Sequence, residues 1–311
     1  MFNEEEVLSE LFNRLSKSAE KWKYSWEVIC IDDGSRDATY QLVKEKNKQD
    51  KRWKILSLSR NFGHQTALTC GLFYASGDAV IVLDADLQDP PEELYKLLKQ
   101  WEKGFDVVFA IRKKRKEGIF KKISYFMFYR VLEKLANISI PLDSGDFCLM
   151  DKKVVTVLNN MPERNRFIRG LRAWSGFKQT GIEYERHARF AGESKYPLSK
   201  LIKLAMDGIL SFSSVPLTIA SYLGLWISFF AFLGIVFTLL QRVFASFFVS
   251  IGIGPVPGYA TTVIIVLFLG GVQLIFLGVL GYYLSRIYDE VKGRPQWIIK
   301  NSIGIKGAKL K

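Results

Sequence analysis

The sequence predicts an α/β protein: a doubly wound, mostly parallel sheet of the Rossmann-like kind, with interfacial amphipathic helices and a C-terminal two-helix transmembrane hairpin. Three observations predict it. Up to Ala110, short apolar runs alternate with amphipathic helical patterns, the signature of βαβ units with right-handed crossovers. Polar and acidic clusters follow two of those runs, at Asp32-Asp33-Gly34-Ser35 and at Asp84-Ala85-Asp86-Leu87-Gln88-Asp89, the sheet edge where open α/β folds place ligands. Two uninterrupted apolar stretches, Leu217 to Leu240 and Ala260 to Leu284, are each long enough for a hydrocarbon core of ~30 Å at ~1.5 Å per residue.

The elements follow in order. Glu4 to Trp22 carries Val7, Leu8, Leu11, Phe12 and Leu15 at helical spacing, an amphipathic helix with one buried stripe. Trp26 to Ile31 is a strand, a helix runs to about Asp50, and Trp53 to Leu58 is the next strand. Arg60-Asn61-Phe62-Gly63 leads into a helix ending at Ala75. Ala79 to Leu83, apolar at every position and bounded by Gly77-Asp78, reads as a buried parallel strand. A helix with Leu94, Leu97, Leu98 and Trp101 on one face and a strand from Asp106 to Ala110 complete the run. The chain opens on a helix, whereas a doubly wound sheet has a central strand at that point, so a strand upstream of Met1 is expected.

The acidic cluster after the Ala79 run is the chemical centre of the sequence. Asp84 and Asp86 are two apart, so on an extended backbone they point the same way and share one hard cation, Mg²⁺ or Mn²⁺, able to neutralise a diphosphate. The competing reading makes the acids helix caps ahead of Pro90-Pro91-Glu92-Glu93. Asp89 suits that role; clustered Asp84 and Asp86 at a strand end are costly without a cation. His64 and His187 are the two histidines, without partners at metal spacing, and read as structural or surface residues.

Composition narrows the partners. The formal charge is +13, yet from Pro216 to Ser285 the single charged side chain is Arg242, which separates a basic part from an apolar part. The excess suits anionic lipid or phosphate ligands; no basic cluster interleaved with stacking aromatics forms a nucleic-acid module, so no nucleic acid is expected. Cys30, Cys70 and Cys148 are odd in number and lack metal spacing, as expected of reduced, buried thiols in a cytoplasmic domain. The acidic, amphipathic N-terminus is unlike a signal peptide.

Beyond Ala110 the chain turns toward a bilayer. Arg112 to Lys116 is a basic run, and Gly118 to Ile138 is a basic, aromatic-rich amphipathic helix of the interfacial type. Gly145-Asp146-Phe147 reads as a loop, Arg164 to Arg172 as an arginine-dense segment, and Arg189 to Tyr196 as a flexible basic loop before a second interfacial helix. The domains are therefore residues 1–197 with the sheet, an interfacial helix at 198–213, spans at 217–240 and 260–284, and a cytoplasmic tail at 286–311. Basic residues lie before the first span and after the second, at Arg286, Lys292, Arg294 and Lys300, which puts both termini and the sheet in the cytoplasm. Ala220, Gly224 and Ser228 form a small-residue line that packs within its own hairpin or supports a homo-oligomer.

Asn3-Glu4-Glu5, Asp32-Asp33-Gly34-Ser35, Ser59-Arg60-Asn61-Phe62-Gly63, Asp84 to Pro91, Gly145-Asp146-Phe147 and Gly192-x-Ser194-Lys195, followed by two spans, resemble the family 2 inverting glycosyltransferases acting on polyprenyl phosphate. The nearest subgroup is similar to bactoprenol glucosyltransferases, with dolichol-phosphate mannose synthases as cousins; Cys148 departs from the arginine that this subgroup carries. The resemblance implies a GT-A-type fold, a nucleotide sugar as donor, a polyprenyl phosphate as acceptor and the bacterial inner membrane as location. It implies that Phe2, Glu4, Asp33, Asp84, Ala85 and Asp86 bind the nucleotide and that Asp84, Asp86 and Gln88 hold the metal. Arg112, Lys122, Ser124, Arg189 and Lys195 would meet the acceptor phosphate and diphosphate, and Asp146 with Asp86 would be catalytic. The Leu-Gln-Asp-Pro-Pro form resembles users of UDP-sugars more than of GDP-mannose. A processive polysaccharide synthase is disfavoured because Arg169 to Trp174 does not match its Gln-x-x-Arg-Trp signature and one hairpin cannot line a pore. A non-catalytic nucleotide-sugar binder is the alternative from another class.

Overall fold

The computed structural model describes residues 1–112, 144–185, 215–252 and 258–305. The chain divides into two units, Met1–Phe212 with Gly293–Lys311, and Ser213–Lys292. In the first, α1 (Glu5–Ala19) buries Val7, Leu8, Leu11, Phe12 and Leu15 and carries Glu5 and Glu6 in its first turn, the favourable sign for a helix N-terminus. β1 (Val28–Asp32) pairs parallel with β2 (Trp53–Leu58), the crossover being α2 (Thr39–Gln49). Trp53 is fully buried, with the Phe12 ring edge-on 4.8 Å away. Then come α3 (His64–Tyr74), β3 (Ala79–Val82), a 3₁₀ turn (Pro91–Glu93), α4 (Leu94–Glu102) and β4 (Val107–Arg112). β5 (Ser144–Asp151), α5 (Lys152–Asn160), α6 (Ile168–Trp174), β6 (Gln179–Tyr184) and β7 (Ile299–Ile303) complete the unit.

The α/β class stands, with a mixed rather than mostly parallel strand arrangement. The hydrogen-bonded orders are β1-β2-β7 and β3-β5-β4-β6. β1 with β2 and β4 with β6 run parallel, whereas β2 with β7, β3 with β5 and β4 with β5 run antiparallel. The change comes from β5, inserted between β3 and β4. Gly145-Asp146-Phe147, read as a loop, is the front of this strand; Gly145 to Met150 are all buried, so polar turn signals are overridden by packing on both faces. Residues 286–311 are likewise more than a tail: Ile299–Ile303 is an edge strand on β2, and the Ser59 N–H donates to the Ile298 carbonyl at 2.9 Å.

The front of the chain is stitched to the loop after β1. The Met1 ammonium donates to the Ile31 carbonyl at 2.8 Å and the Met1 carbonyl accepts from the Asp33 N–H at 2.9 Å, one rung of a parallel ladder. The Asn3 N–H donates to Ser35 Oγ, and the Glu4 N–H to Thr39 Oγ1. Gly34 has φ +73°, and a Cβ there would lie 2.6 Å from the Arg60 carbonyl carbon, so the loops after β1 and β2 touch through that glycine. All three cysteines are free and buried, as expected from the sequence.

The second unit holds α7 (Val215–Val243), α8 (Ala245–Ser250) and α9 (Tyr259–Val291). Ala220–Val243 and Phe268–Val291 are long and apolar enough to cross a membrane, with mean hydropathies of 2.3 and 1.6. Both helices overrun the expected spans, α7 as far as Val243, past Arg242, and α9 as far as Val291, past Arg286, Asp289 and Glu290. Gly224 faces Phe276 within the hairpin, the ring lying 3.9 Å from where an added Cβ would be. Trp226, Phe229, Phe230 and Leu274 are exposed on these helices.

Candidate active site

The antiparallel entry of β5 builds the site. Val82, the last residue of β3, pairs with Cys148; Asp84 comes two residues after Val82 and Asp146 two before Cys148, so the register carries the two carboxylates to the same rim. The end of β4 reaches that rim too, since Ile111 pairs with Ser144. Arg112 follows, with Nη2 only 3.2 Å from where a Gly145 Cβ would be. A side chain at 145 would therefore press on the guanidinium, which would have to give by a few tenths of an ångström.

Asp146 is the most tightly held acid at this rim. Its Oδ1 accepts from Arg169 Nε at 2.8 Å and its Oδ2 from Arg169 Nη2 at 3.0 Å, a two-pronged pair supplied by α6. The same Oδ2 lies 3.0 Å from His64 Nε2, at the start of α3. Burial would push this carboxyl up, but the Arg169 guanidinium and then His64 outweigh it and hold Asp146 well below the usual carboxylate range. His64 in turn is raised, mainly by its bond to Asp146, against its burial and with help from Asp84. Asp84 goes the other way: burial, then Asp146, Asp89 and Asp86, push it up, and His64 relieves it only in part. The rim therefore carries one carboxylate matched by two basic groups beside another that gains from any added positive charge.

The acidic loop is fixed by three devices. Asp86 Oδ1 accepts from the Gln88 N–H at 3.1 Å. Leu87 adopts φ 56°, a left-handed conformation costing a non-glycine residue roughly 1–2 kcal/mol, and its side chain is buried at 1% exposure. Buried Asp89 accepts from the Tyr184 hydroxyl of β6, which ties the acidic loop to that strand, with the Arg112 guanidinium close enough to act on the phenol.

The remaining expected site residues fall as follows. Phe2 and Glu4 are partly buried beside the loop that carries Asp33. Asp33 itself is 4% exposed, and its oxygens accept from the Phe62 N–H at 2.7 Å and the Gly63 N–H at 2.9 Å. It ties the loop after β2 in place, and burial raises its carboxyl more than those bonds lower it. Ala85 packs on the core and Gln88 is partly buried. Lys122, Ser124, Arg189 and Lys195, both expected interfacial helices and the run Lys113 to Lys116 lie outside the described residues. Cys148 is 1% exposed, its thiol pushed up by burial, beside the guanidinium of Arg172, which is itself 1% exposed.

Two residues of this arrangement escaped the sequence reading. Arg169 was visible only as part of an arginine-dense segment, and its partner sits on another element. His64 was read as structural or surface; its position directly after Asn61-Phe62-Gly63, ahead of a helix whose start faces the sheet edge, was the available signal. Among the described residues no group of three or more His, Cys, Asp or Glu is placed to hold a metal ion.

A mixed α/β sheet with carboxylates and basic groups gathered at the strand ends, beside a loop of acids and an amide, defines the class: a GT-A-type transferase domain. The sequence model of Glycosyl transferase family 2 matches residues 1–158. The chain is 44% identical over 311 residues to the uncharacterized glycosyltransferase YkcC of Bacillus subtilis (strain 168), covering 100% of this chain and 94% of that protein. It is 41% identical to the SfII prophage-derived bactoprenol glucosyl transferase of Shigella flexneri, over 97% of this chain and 96% of that one. It is 40% identical to the prophage bactoprenol glucosyl transferase homolog of Escherichia coli (strain K12), over 96% of each. Among solved structures, glucosyl-3-phosphoglycerate synthase from Mycobacterium tuberculosis aligns at 18% identity and TM-score 0.45, over 68% of this chain and 77% of that one. The chain belongs to glycosyl transferase family 2 and is a glycosyltransferase.

Proposed function

We propose that this glycosyltransferase is bound to the bacterial inner membrane and moves a hexose, glucose from UDP-glucose, onto undecaprenyl or another polyprenyl phosphate with inversion at the sugar carbon. The observation that carries the reading is the likeness to proteins named bactoprenol glucosyl transferase, at 39–41% identity over 97% of this chain for the phage and prophage proteins, a length that includes both apolar helices.

The donor set of the acidic loop suits a hard cation. Asp84, Asp86 and Gln88 offer oxygens only, and Mg²⁺ is commonly held by one or two carboxylates plus substrate phosphates rather than by a protein cage. A loop whose third acid, Asp89, is turned to Tyr184 is thus compatible with Mg²⁺ or Mn²⁺, and the upward pressure on Asp84 favours a positive charge there. When bound, the ion neutralises charge on the departing diphosphate.

The chain's own groups do the rest. Phe2, Glu4 and the Asp33 loop form the nucleoside end of the rim, and Arg112, with Lys122, Ser124, Arg189 and Lys195, meets phosphate oxygens. The acceptor is a phosphate monoester with a second pKa of about 6, largely dianionic at neutral pH, so attack on the sugar carbon needs no strong base. Asp146, with both oxygens accepting hydrogen bonds, holds Arg169 and His64 at the reacting end. The lipid is confined to the bilayer and the nucleotide sugar to water. α7 and α9 serve as the anchor that keeps the rim at the boundary, with the sheet and both termini on the cytoplasmic side by the distribution of basic residues.

The test is a panel of labelled nucleotide sugars offered to membranes containing the protein, with undecaprenyl phosphate and Mg²⁺. Label entering the lipid phase from UDP-glucose, lost with chelator and regained with Mg²⁺ or Mn²⁺, is the expected result. No lipid-borne label from any donor would refute it.

A further inference from the structure

His64 has been given only a place beside Asp146, and its setting asks for more. Its backbone is positioned from outside the helix it begins: Gly63 before it has φ 97°, and the buried Asp33 carboxylate holds the Phe62 and Gly63 N–H groups. Its ring is positioned from the other side, with Nε2 3.0 Å from Asp146 Oδ2. An ionised carboxylate only accepts, so Nε2 carries the hydrogen of that bond and Nδ1 is the second nitrogen. The His64 side chain is 43% exposed against 5% for Asp146, so the imidazole is the solvent-facing member of the pair. The charged groups facing it are Asp146 from β5, Asp84 from the loop after β3, and the Met1 ammonium, with Arg169 bonded through Nη2 to the same Asp146 Oδ2.

Two ordinary explanations for a histidine here are weak. A basic side chain in the first turn opposes the helix dipole, so it does not serve the stability of α3. A pin between α3 and β5 would need a single donor, which an amide supplies as well. What a histidine adds is a second ring nitrogen, on an exposed side chain, at a rim that also carries the Arg112 guanidinium.

We propose that His64 contacts substrate phosphate: Nε2–H is anchored on Asp146 while Nδ1 shares one proton with a phosphate oxygen. This rests on the glycosyltransferase reading above. The proton balance closes either way, because imidazolium with a phosphate dianion and imidazole with a phosphate monoanion contain the same single proton. The oxygen belongs either to the acceptor monoester or to the donor diphosphate.

The full-length enzyme, in membranes or detergent, is compared as wild type, His64→Gln and His64→Ala. Glutamine places its amide nitrogen near the position of Nε2 and keeps the bond to Asp146, but has nothing at Nδ1. Expected is a His64→Gln protein that melts with the wild type while kcat/KM falls roughly 10- to 100-fold, the worth of a hydrogen bond to a charged group. Added imidazole should restore part of the activity of His64→Ala and leave the wild type unchanged. A rise in KM for polyprenyl phosphate assigns the contact to the acceptor. A rise in KM for the nucleotide sugar, or a loss in kcat alone, assigns it to the diphosphate, which gains charge as it departs. Undiminished kcat/KM for both substrates in His64→Gln reduces His64 to a pin and overturns the inference with the functional reading intact. A wild type that transfers no sugar overturns both.

Discussion

Replacing Asp146 by Asn keeps its shape and removes its charge, which separates what the carboxylate holds from what it could do as a base. Arg169 loses an acid that it grips with two nitrogens at 2.8 and 3.0 Å, and His64 loses one at 3.0 Å. Removing one partner of a buried pair costs about 3–5 kcal/mol; the Arg169 side chain is 24% exposed, which brings the expectation down to about 2–3 kcal/mol. For a domain of this size that is a fall in Tm of roughly 4–12 °C, measured by thermal melting in detergent. The pH dependence has a definite sign. Asp146 is depressed in the folded protein, so its contribution is complete above its unfolded value of about 3.9 and is lost as pH falls below that toward the folded value. The gap in Tm between wild type and Asp146→Asn should therefore widen as pH falls through the raised His64 value to its unfolded value of about 6.5, hold from there to about 5, and close in stronger acid. The same depression speaks to mechanism, since a carboxylate held ionised by two basic groups takes up no proton near neutrality. Initial rates of sugar transfer should be lowered in Asp146→Asn by the same factor at pH 6 and pH 8. A deficit severe at pH 6 and largely repaired at pH 8 would make Asp146 a base and refute this account.

Tyr184→Phe removes the hydroxyl that bonds buried Asp89; a loss of about 1–2 kcal/mol is expected, and unchanged melting would show that the phenol does not hold the acidic loop. Ending the chain before Leu217 deletes β7 as well as the apolar helices, so β2 loses its antiparallel neighbour. That truncation should aggregate or melt without cooperativity, whereas replacing Ser213–Lys292 by a flexible linker should retain nucleotide binding. Equal melting of the two variants, followed by circular dichroism, would show that β7 is dispensable.

What the sequence made legible follows from which forces act locally. β1, β2 and β3 announce themselves because each is an apolar run closed by Asp or Ser, β4 because its apolar run opens after Gly104-Phe105-Asp106, and α1 and α4 because a buried stripe recurs at helical spacing. β5 was hidden by its own motif: Gly145 and Asp146 are turn residues by composition, and only the neighbouring strands explain why they are extended and buried. β6 and β7, Gln179-Thr180-Gly181-Ile182-Glu183-Tyr184 and Ile299-Lys300-Asn301-Ser302-Ile303, are short and polar. Pairing with β4 and β2 recruits them, and pairing partners are not written in a strand's own residues. The Asp146–Arg169 pair joins two elements, and the Asp146–His64 contact spans 82 positions, beyond the reach of any spacing rule.

The same reasoning revises why the acids belong together. Two-residue spacing aligns side chains only while the backbone stays extended, and β3 ends at Val82. Asp84 precedes, and Asp86 lies within, a turn bent by left-handed Leu87 and by the bond from the Gln88 N–H to Asp86, so their alignment is set by that turn rather than by a strand. What the strand geometry does provide is Asp84 beside Asp146, through the antiparallel register with β5. The consequence is electrostatic. Asp146 is compensated within the protein by Arg169 and His64, whereas Asp84 is pushed up by burial and by the acids around it. Of the two carboxyls that share this rim, one therefore has its basic partners within the protein, while the other has only His64 to relieve it.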